Sequence, residues 1–90
     1  MQQRITAVLY SSRFAHAIKR LPASFREEVA RGEAIFRANC FDPRLKTHKL
    51  GGKWHGYWSF SLTYKHRVMF KLIDSSTVYF ANIGDHSIYQ

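Results

Sequence analysis

The stretch WHGYWSFSLTYKHRVMFKLIDSSTVYFANI, residues 54–83, decides the fold because its apolar side chains recur at every second position. Apolar and polar residues alternate over Trp58–Leu62. Val68, Phe70 and Leu72 then alternate with Arg67, Met69 and Lys71, which is the period of a half-buried β-strand. The turn signal Asp74-Ser75-Ser76 then precedes a third run, Thr77–Ile83, rich in strand-forming residues. Short links between consecutive strands favour antiparallel pairing, so the stretch predicts a three-stranded antiparallel meander.

The residues before this stretch predict one strand and two helices. Arg4–Tyr10 is short and rich in β-formers, which is typical of a strand. Ser11 and Ser12 can cap a following helix, and Pro22 should end it and begin a second one, since proline suits a first helical turn. Ser24 and Glu27 have the spacing of a capping box, which offers an alternative start for the second helix. Apolar residues at helical spacing are Phe14, Ile18 and Leu21 in the first helix and Phe25, Val29 and Phe36 in the second.

Together these elements predict one α+β domain over residues 1–90. It has an N-terminal strand, an antiparallel helical hairpin and the three-stranded antiparallel meander, in the order β-α-α-β-β-β. Ninety residues are too few for two separate cores, and 46% hydrophobic residues support one packed core. We expect the helical hairpin to cover one face of the sheet and to leave the other partly open to solvent.

Composition also excludes several classes of protein. No window approaches the ~18 apolar residues of a membrane span, and MQQRITAVLY lacks the apolar run of a secretory signal, so we expect a soluble, cytoplasmic protein with no membrane partner. Cys40 is the single cysteine, which rules out an internal disulfide and a cysteine-based zinc site. The histidines have no metal-ligand spacing, so neither a metal nor another cofactor is expected.

The charge is strongly positive and unevenly distributed. The formal net charge is +8, and residues 43–73 contain seven Lys and Arg residues but no Asp or Glu. Arg67 and Lys71 stand four residues apart on the second predicted strand and therefore share a face of the sheet. Such a surface attracts polyanions, and cations interleaved with aromatic residues favour nucleic acid. An acidic protein partner would fit the same charge, and so would a basic face that only maintains solubility.

Three segments carry side chains suited to phosphate chemistry: KTHKLGGKW (46–54), KHRVMF (65–70) and GDHSIY (84–89). An antiparallel meander can bring the start of the second segment close to the third, which places Arg67 and His86 within reach of one phosphate. Cleaving RNA without a metal requires a base for the ribose 2′-hydroxyl, cations for the phosphorane and an acid for the leaving oxygen. Histidine suits the proton transfers and arginine suits the phosphorane.

Each candidate also has a purely structural interpretation. His16 and His55 fit exposed surface positions, and His66 shares its strand parity with core residues. Asp85 can orient a histidine or form a turn. Tyr57 and Tyr64 can stack on bases, although aromatic residues in a small sheet more often serve packing.

The segments LKTHKLGGKWHGYWSF (45–60), HRVMFKLID (66–74) and VYFANIGDHSIY (78–89) resemble the RelE/ParE superfamily of bacterial type II toxins. The resemblance is greatest to the mRNA interferases of the YoeB and YafQ kinds and covers nearly the whole chain. It implies a twisted antiparallel sheet with an N-terminal helical hairpin. It also implies cleavage of mRNA in the A site of the 30S ribosomal subunit, with a 2′,3′-cyclic phosphate or its hydrolysis product left on the RNA.

The resemblance assigns roles to individual residues. Arg67 matches the arginine that contacts the scissile phosphate, His86 matches a C-terminal catalytic histidine, and His48 is similar to a histidine that YafQ-like toxins carry before the glycine turn. The chain departs from the family in having no acid between Asp42 and Asp74, so His48, a lysine or His86 alone must replace the glutamate base of YoeB-like toxins. Lys65 stands where YafQ-like toxins have an aspartate. The expected RNA-binding residues are Lys46, Lys49, Lys53, Lys65, Lys71 and Tyr89.

The resemblance further implies partners and alternatives. The expected partner is a cognate antitoxin that is acidic and partly disordered when free, and the complex of the two is expected to bind operator DNA. The ParE branch has the same fold but inhibits DNA gyrase by protein contact, so a non-nuclease toxin is the alternative function. A further alternative is an inactive remnant that only binds its antitoxin, because fold does not fix function.

Overall fold

A computed structural model describes residues 2–90 and contains five strands, two α-helices and three short 3₁₀-helices. The strands and helices are β1 (Ala7–Tyr10), α1 (Ser12–Arg20), α2 (Ala23–Ala38), β2 (His48–Lys49), β3 (Trp58–Ser61), β4 (Arg67–Leu72) and β5 (Thr77–Gly84). The 3₁₀-helices are Pro43–Leu45, Gly52–Trp54 and His86–Tyr89. The predicted α+β class and element order are confirmed.

The boundaries of the two helices follow from local chemistry. Ser11 caps α1, since its side chain accepts a hydrogen bond from the Phe14 N–H at 2.9 Å. Leu21 leaves the helical region with ψ 146°, as expected for a residue that precedes proline. Pro22 is the N-cap of α2. The capping-box alternative at Ser24 is therefore wrong, because Ser24 lies inside the first turn.

The five strands form one sheet in the order β1-β5-β4-β3-β2. Strands β3, β4 and β5 are the predicted antiparallel meander. β1 is shorter than predicted and pairs with β5 in parallel, at one edge of the sheet. The two-residue strand β2 was not predicted and pairs with β3 at the other edge.

The core lies between the helices and one face of the sheet. Phe36 of α2 is fully buried and packs against three sheet phenylalanines, with its ring centroid 4.6 Å from that of Phe60, 4.9 Å from Phe70 and 5.3 Å from Phe80. The helices thus cover one face, as the sequence predicts. Neither helix in the part of the chain that the structure describes has the length and apolar character needed to cross a membrane.

The opposite face of the sheet, here called the open face, is partly covered by the chain's own C-terminal segment. Ser59 and Met69 point to this face, yet they are only 0% and 2% exposed. Tyr89 contributes to this cover, since its hydroxyl lies 2.5 Å from the Ser59 hydroxyl. The 3₁₀-helix His86–Tyr89 is therefore held against the open face.

Candidate active site

Arg67 begins β4 and lies on the open face, opposite Ser61 of β3 and Gly84 of β5. Its guanidinium Nη1 donates to the Ser61 hydroxyl at 2.8 Å and to the Thr63 carbonyl at 3.3 Å. No ion pair among residues 2–90 involves Arg67. The side chain is therefore oriented by neutral acceptors, and its positive charge is available to an anion.

His86 is the first residue of the C-terminal 3₁₀-helix and is exposed. Asp85 caps this helix by accepting a hydrogen bond from the Ser87 N–H at 2.9 Å. The side-chain and backbone hydrogen bonds with Ser87 hold the pKa of the Asp85 carboxyl below its ordinary value, and the nearby His66 and His86 act in the same direction. Of the two roles considered for Asp85, the structure shows the turn-forming one.

Arg67 and His86 line the same surface depression, which has a volume of about 440 Å³. The sheet register explains their proximity, since Arg67 is paired with Gly84, two residues before His86. Tyr64, Lys65 and Asp85 complete the lining. The depression thus combines an imidazole, a guanidinium, an ammonium and an exposed phenol ring around one space.

A second depression, of about 380 Å³, shares Arg67 and Tyr64 with the first. Arg44, Lys46 and Ser61 are among its other lining residues. Lys46 follows the 3₁₀-helix Pro43–Leu45 and has a positive φ of 53°. Arg67 consequently lies where the two depressions meet, and a bound polyanion could contact Lys46 on one side of Arg67 and Lys65 on the other.

Three contacts hold the C-terminal segment in place, two with the sheet and one with the 3₁₀-helix Gly52–Trp54. The Trp54 indole N–H donates to the Tyr89 carbonyl at 2.6 Å, and the Tyr89 and Ser59 hydroxyls share a 2.5 Å hydrogen bond. Ile88 is buried and packs on Gly84 so closely that a Cβ there would lie 2.7 Å from Ile88 Cγ2. These contacts fix the position of His86, and they leave Tyr89 half-buried with its hydroxyl already engaged.

His48 lies on β2, outside the depression that Arg67 and His86 line. It is exposed, pairs with Ser59 across the sheet, and its Nδ1 is 2.9 Å from the Lys46 carbonyl. Ideal strand spacing puts its Cα roughly 12 Å from that of Arg67, two strands and two residues away. His48 therefore shares the open face with Arg67 but is not next to it.

The other predicted lysines are spread over aromatic rings rather than gathered at Arg67. Lys49 lies over Trp58, Lys53 over Trp54 and Lys71 over Tyr57, each with its ammonium 5.5 Å from the ring centroid. These cation–π contacts keep the cations at the surface beside flat apolar groups. Among residues 2–90, no three His, Cys, Asp or Glu side chains come together in a group that could hold a metal ion.

Sequence reasoning missed Ser61, Trp54 and Ser59, which orient the predicted residues. Ser61 carried a usable signal, because it occupies the same strand parity as Arg67 on a neighbouring predicted strand. The sequence gives no signal for Trp54 or Ser59, because both contact Tyr89. Trp54 is 35 residues away from Tyr89 in sequence and Ser59 is 30 residues away. His66 packs on the Phe25 ring at 4.3 Å and lies 3.1 Å from the Thr63 hydroxyl, which is a structural role.

Comparison with known proteins gives a clear result at the level of structure. No protein-family model and no curated protein matches the sequence. Among solved structures, a chain of the RelBE2 toxin–antitoxin complex from Mycobacterium tuberculosis matches with a TM-score of 0.79 and 13% identity, covering 97% of this chain and 99% of that one. The YoeB/ParE toxin from Agrobacterium tumefaciens matches with a TM-score of 0.75 and 18% identity, covering 90% and 99%.

YafQ from Escherichia coli is also similar, with a TM-score of 0.67 and 22% identity over 97% of this chain and 98% of that one. At sequence identities this low, the structural likeness shows the fold alone, and each match spans nearly the full length of both chains. This chain therefore has the fold of the RelE-, YoeB- and YafQ-type toxins, as the resemblance of its sequence implied.

Proposed function

We propose that the protein is the toxin of a type II toxin–antitoxin system and that it cleaves mRNA in the ribosomal A site. The observation that carries the proposal is the single depression lined by both Arg67 and His86. The shared fold with YafQ and with a chain of RelBE2, both of which are known in complexes with antitoxins, supports the assignment as a toxin. The same likeness supports a cognate antitoxin as partner.

The proposed reaction is an internal transesterification of RNA. A base removes the proton of a ribose 2′-hydroxyl, and the oxygen attacks the adjacent phosphorus. The P–O5′ bond then breaks, and the leaving oxygen takes up a proton. The products are a 2′,3′-cyclic phosphate and a 5′-hydroxyl, so that atoms and charges balance without a metal or another reactant.

Each residue in the depression has a role in this scheme. Arg67 faces the phosphate and stabilises the extra negative charge of the phosphorane, for which a forked, permanently charged group is suited. His86 transfers a proton, since imidazole exchanges protons near neutral pH. Lys65 and Lys46 hold the backbone on either side. His48 is the proposed second proton-transfer group, and it would have to be reached across the open face.

The test compares substitutions inside the depression with matched ones outside it. We expect His86→Gln and Arg67→Gln to abolish A-site cleavage, measured by primer extension on mRNA from cells that express each variant. His55→Gln and Arg4→Gln remove the same side-chain types from exposed positions outside the depression and should cleave normally. Full cleavage by both depression variants would refute the assigned roles.

The alternative function predicts a different phenotype. A gyrase inhibitor of the ParE type would relax plasmid DNA in expressing cells and leave mRNA intact. Finding relaxed plasmid without A-site cuts would therefore replace the proposed function. Toxicity that disappears on co-expression of the neighbouring antitoxin gene would support the toxin assignment under either mechanism.

A further inference from the structure

A groove beside α1 gathers cationic side chains that the proposed reaction does not use. Arg13, His16 and Arg20 stand on one face of α1 at positions i, i+3 and i+7, a spacing that brings side chains together on a helix. They line a concave space of about 620 Å³, which Asn82 of β5 borders on the other side. We call this space the α1 groove.

The charge of the α1 groove is unneutralised. No Asp or Glu is among its lining residues, and no ion pair within residues 2–90 involves Arg13 or Arg20. Both arginines and His16 are exposed. Asn82 Oδ1 accepts the Ile83 N–H at 2.9 Å, so its amide nitrogen is the group left to donate to a ligand.

A smaller hollow of about 240 Å³ adjoins the groove on the open face, and we call it the aromatic trough. Trp54, Tyr57 and Tyr79 are its aromatic lining, and Met69 is among its apolar lining residues. The Lys71 ammonium stands 5.5 Å from the Tyr57 ring centroid. Flat rings beside cations are the surface on which nucleobases stack.

The groove and the trough form one continuous track. Arg13 and Asn82 line both spaces. At the other end, Met69 of the trough follows Arg67 by two residues on the same face of β4, about 6.7 Å along the strand. Met69 is only 2% exposed, because the C-terminal segment lies between the trough and Arg67. An RNA strand bound at Arg67 would therefore pass over the C-terminal segment before it entered the trough and the α1 groove.

We propose that this track binds the single-stranded RNA that flanks the cleaved linkage, with bases on the aromatic trough and phosphates on Arg13 and Arg20. The inference rests on the proposed function, because RNA is the substrate there. An acidic protein segment would match the cations alone. The rings that continue the same track favour RNA, since single-strand sites combine a cationic groove with stacking platforms.

The test measures binding of a 2′-O-methyl RNA oligonucleotide, which lacks the attacking hydroxyl and cannot be cut. The double variant Arg13→Gln/Arg20→Gln should weaken binding at least about fivefold. It should also lower the slope of log K against log salt by about 1.4, since each phosphate contact on a single strand contributes about 0.7. The control Lys19→Gln/Arg4→Gln removes two exposed charges outside the groove and should leave the slope unchanged.

A matched pair of substitutions at Tyr57 tests the aromatic trough separately. Tyr57→Leu should weaken binding by about fivefold, the smallest effect usually seen when one stacked base loses its aromatic partner. Tyr57→Phe keeps the ring and should bind like the parent protein. Circular dichroism melting of every variant confirms that the fold is retained.

Two results would overturn the inference. One is equal binding and equal salt slope for the groove variant and its control. The other is groove-dependent binding of a poly-glutamate peptide with groove-independent binding of the oligonucleotide, which would make this a surface for an acidic protein. Because the oligonucleotide is uncleavable, these results are separate from the loss of A-site cuts that tests the proposed function.

Discussion

Gly84 shows how one residue can control the candidate active site without belonging to it. It pairs with Arg67 across β4 and β5, and Ile88 packs over it. The absence of a side chain at this position is what lets the C-terminal segment, and with it His86, lie close to the sheet. The position of His86, the proposed proton-transfer residue, is therefore set by a residue that does not line the depression.

We expect Gly84→Ala to reduce RNA cleavage by roughly ten- to a hundredfold, because a displacement of about 1 Å can have that effect. The added Cβ would lie 2.7 Å from Ile88 Cγ2, and the β-branched isoleucine has little freedom to turn away. Gly51→Ala is the control, since a Cβ there meets nothing within 4 Å. The prediction is checked with cleavage assays in a reconstituted translation system, and equal rates for both variants would contradict it.

Asp42 gives a pH-dependent prediction. Its hydrogen bonds with the Arg44 side chain and backbone lower the pKa of the carboxyl to about 2, from an ordinary value of 3.8. A lowered pKa in the folded state stabilises the protein above about pH 3.8, and this contribution is lost as the pH falls towards 2.

Asp42→Asn keeps an oxygen that can accept from the Arg44 N–H but has no charge to lose. Its free energy of unfolding should therefore fall less steeply below about pH 4 than that of the parent protein. Urea unfolding at several pH values measures the difference. Glu27→Gln is the control, since Glu27 is exposed and forms no ion pair within residues 2–90. Parallel curves for Asp42→Asn and the parent would refute the role of this pair.

Among the secondary-structure elements, α1 is joined to the sheet through its own cap. The Ser11 hydroxyl accepts from the Phe14 N–H and donates to the Ala81 carbonyl of β5 at 2.7 Å. One side chain, directly after β1, thus caps α1 and also links this helix to β5 by a hydrogen bond. The position of the α1 groove depends on this link.

We expect Ser11→Ala to lower the free energy of unfolding by about 1–2 kcal/mol, because it removes a cap and leaves a partly buried carbonyl without its donor. Ser24→Ala, on the surface of α2, should change it by less than about 0.5 kcal/mol. Chemical denaturation of both variants provides the comparison. A larger loss for Ser24→Ala would mean that the capping box operates after all.

Some secondary-structure elements could be predicted from the sequence and others could not. The helices and the strands β3 to β5 were predictable, because side-chain periodicity reports directly which face is buried. β2 is two residues long and has no period to detect, and its pairing depends on the path of a glycine-containing loop. Likewise, the geometry of a meander predicts that Arg67 and His86 lie close together. The contacts of Lys49 and Lys53 with tryptophan rings could not be predicted, because they depend on the conformation of the folded loop.

In the molecule as a whole, the hydrophobic core and the candidate active site lie on opposite faces of the sheet. The aromatic core around Phe36 lies on the helix side of the sheet, whereas Arg67 lies on the open face and the α1 groove lies beside α1. A small domain of this kind has only about 5–15 kcal/mol of stability, so damage to the core should remove the site along with the fold.

Phe36→Ala should therefore destabilise the protein by about 3–5 kcal/mol, since it leaves a cavity among three packed rings. Ile73→Ala is the matched apolar truncation at a 53% exposed position and should have an effect below about 0.5 kcal/mol. Thermal melting of the two variants distinguishes them. Similar melting temperatures would show that the core lies elsewhere.

The parallel pairing of β1 with β5 has a consequence for the timing of synthesis. Ala7 is aligned with Thr77, so β1 cannot pair with β5 until seventy further residues have been synthesised. At a translation rate of about 5–20 residues per second, that delay is roughly 4–14 s. His86 is synthesised later still, so the depression that it lines with Arg67 cannot form until both edges of this sheet have been made.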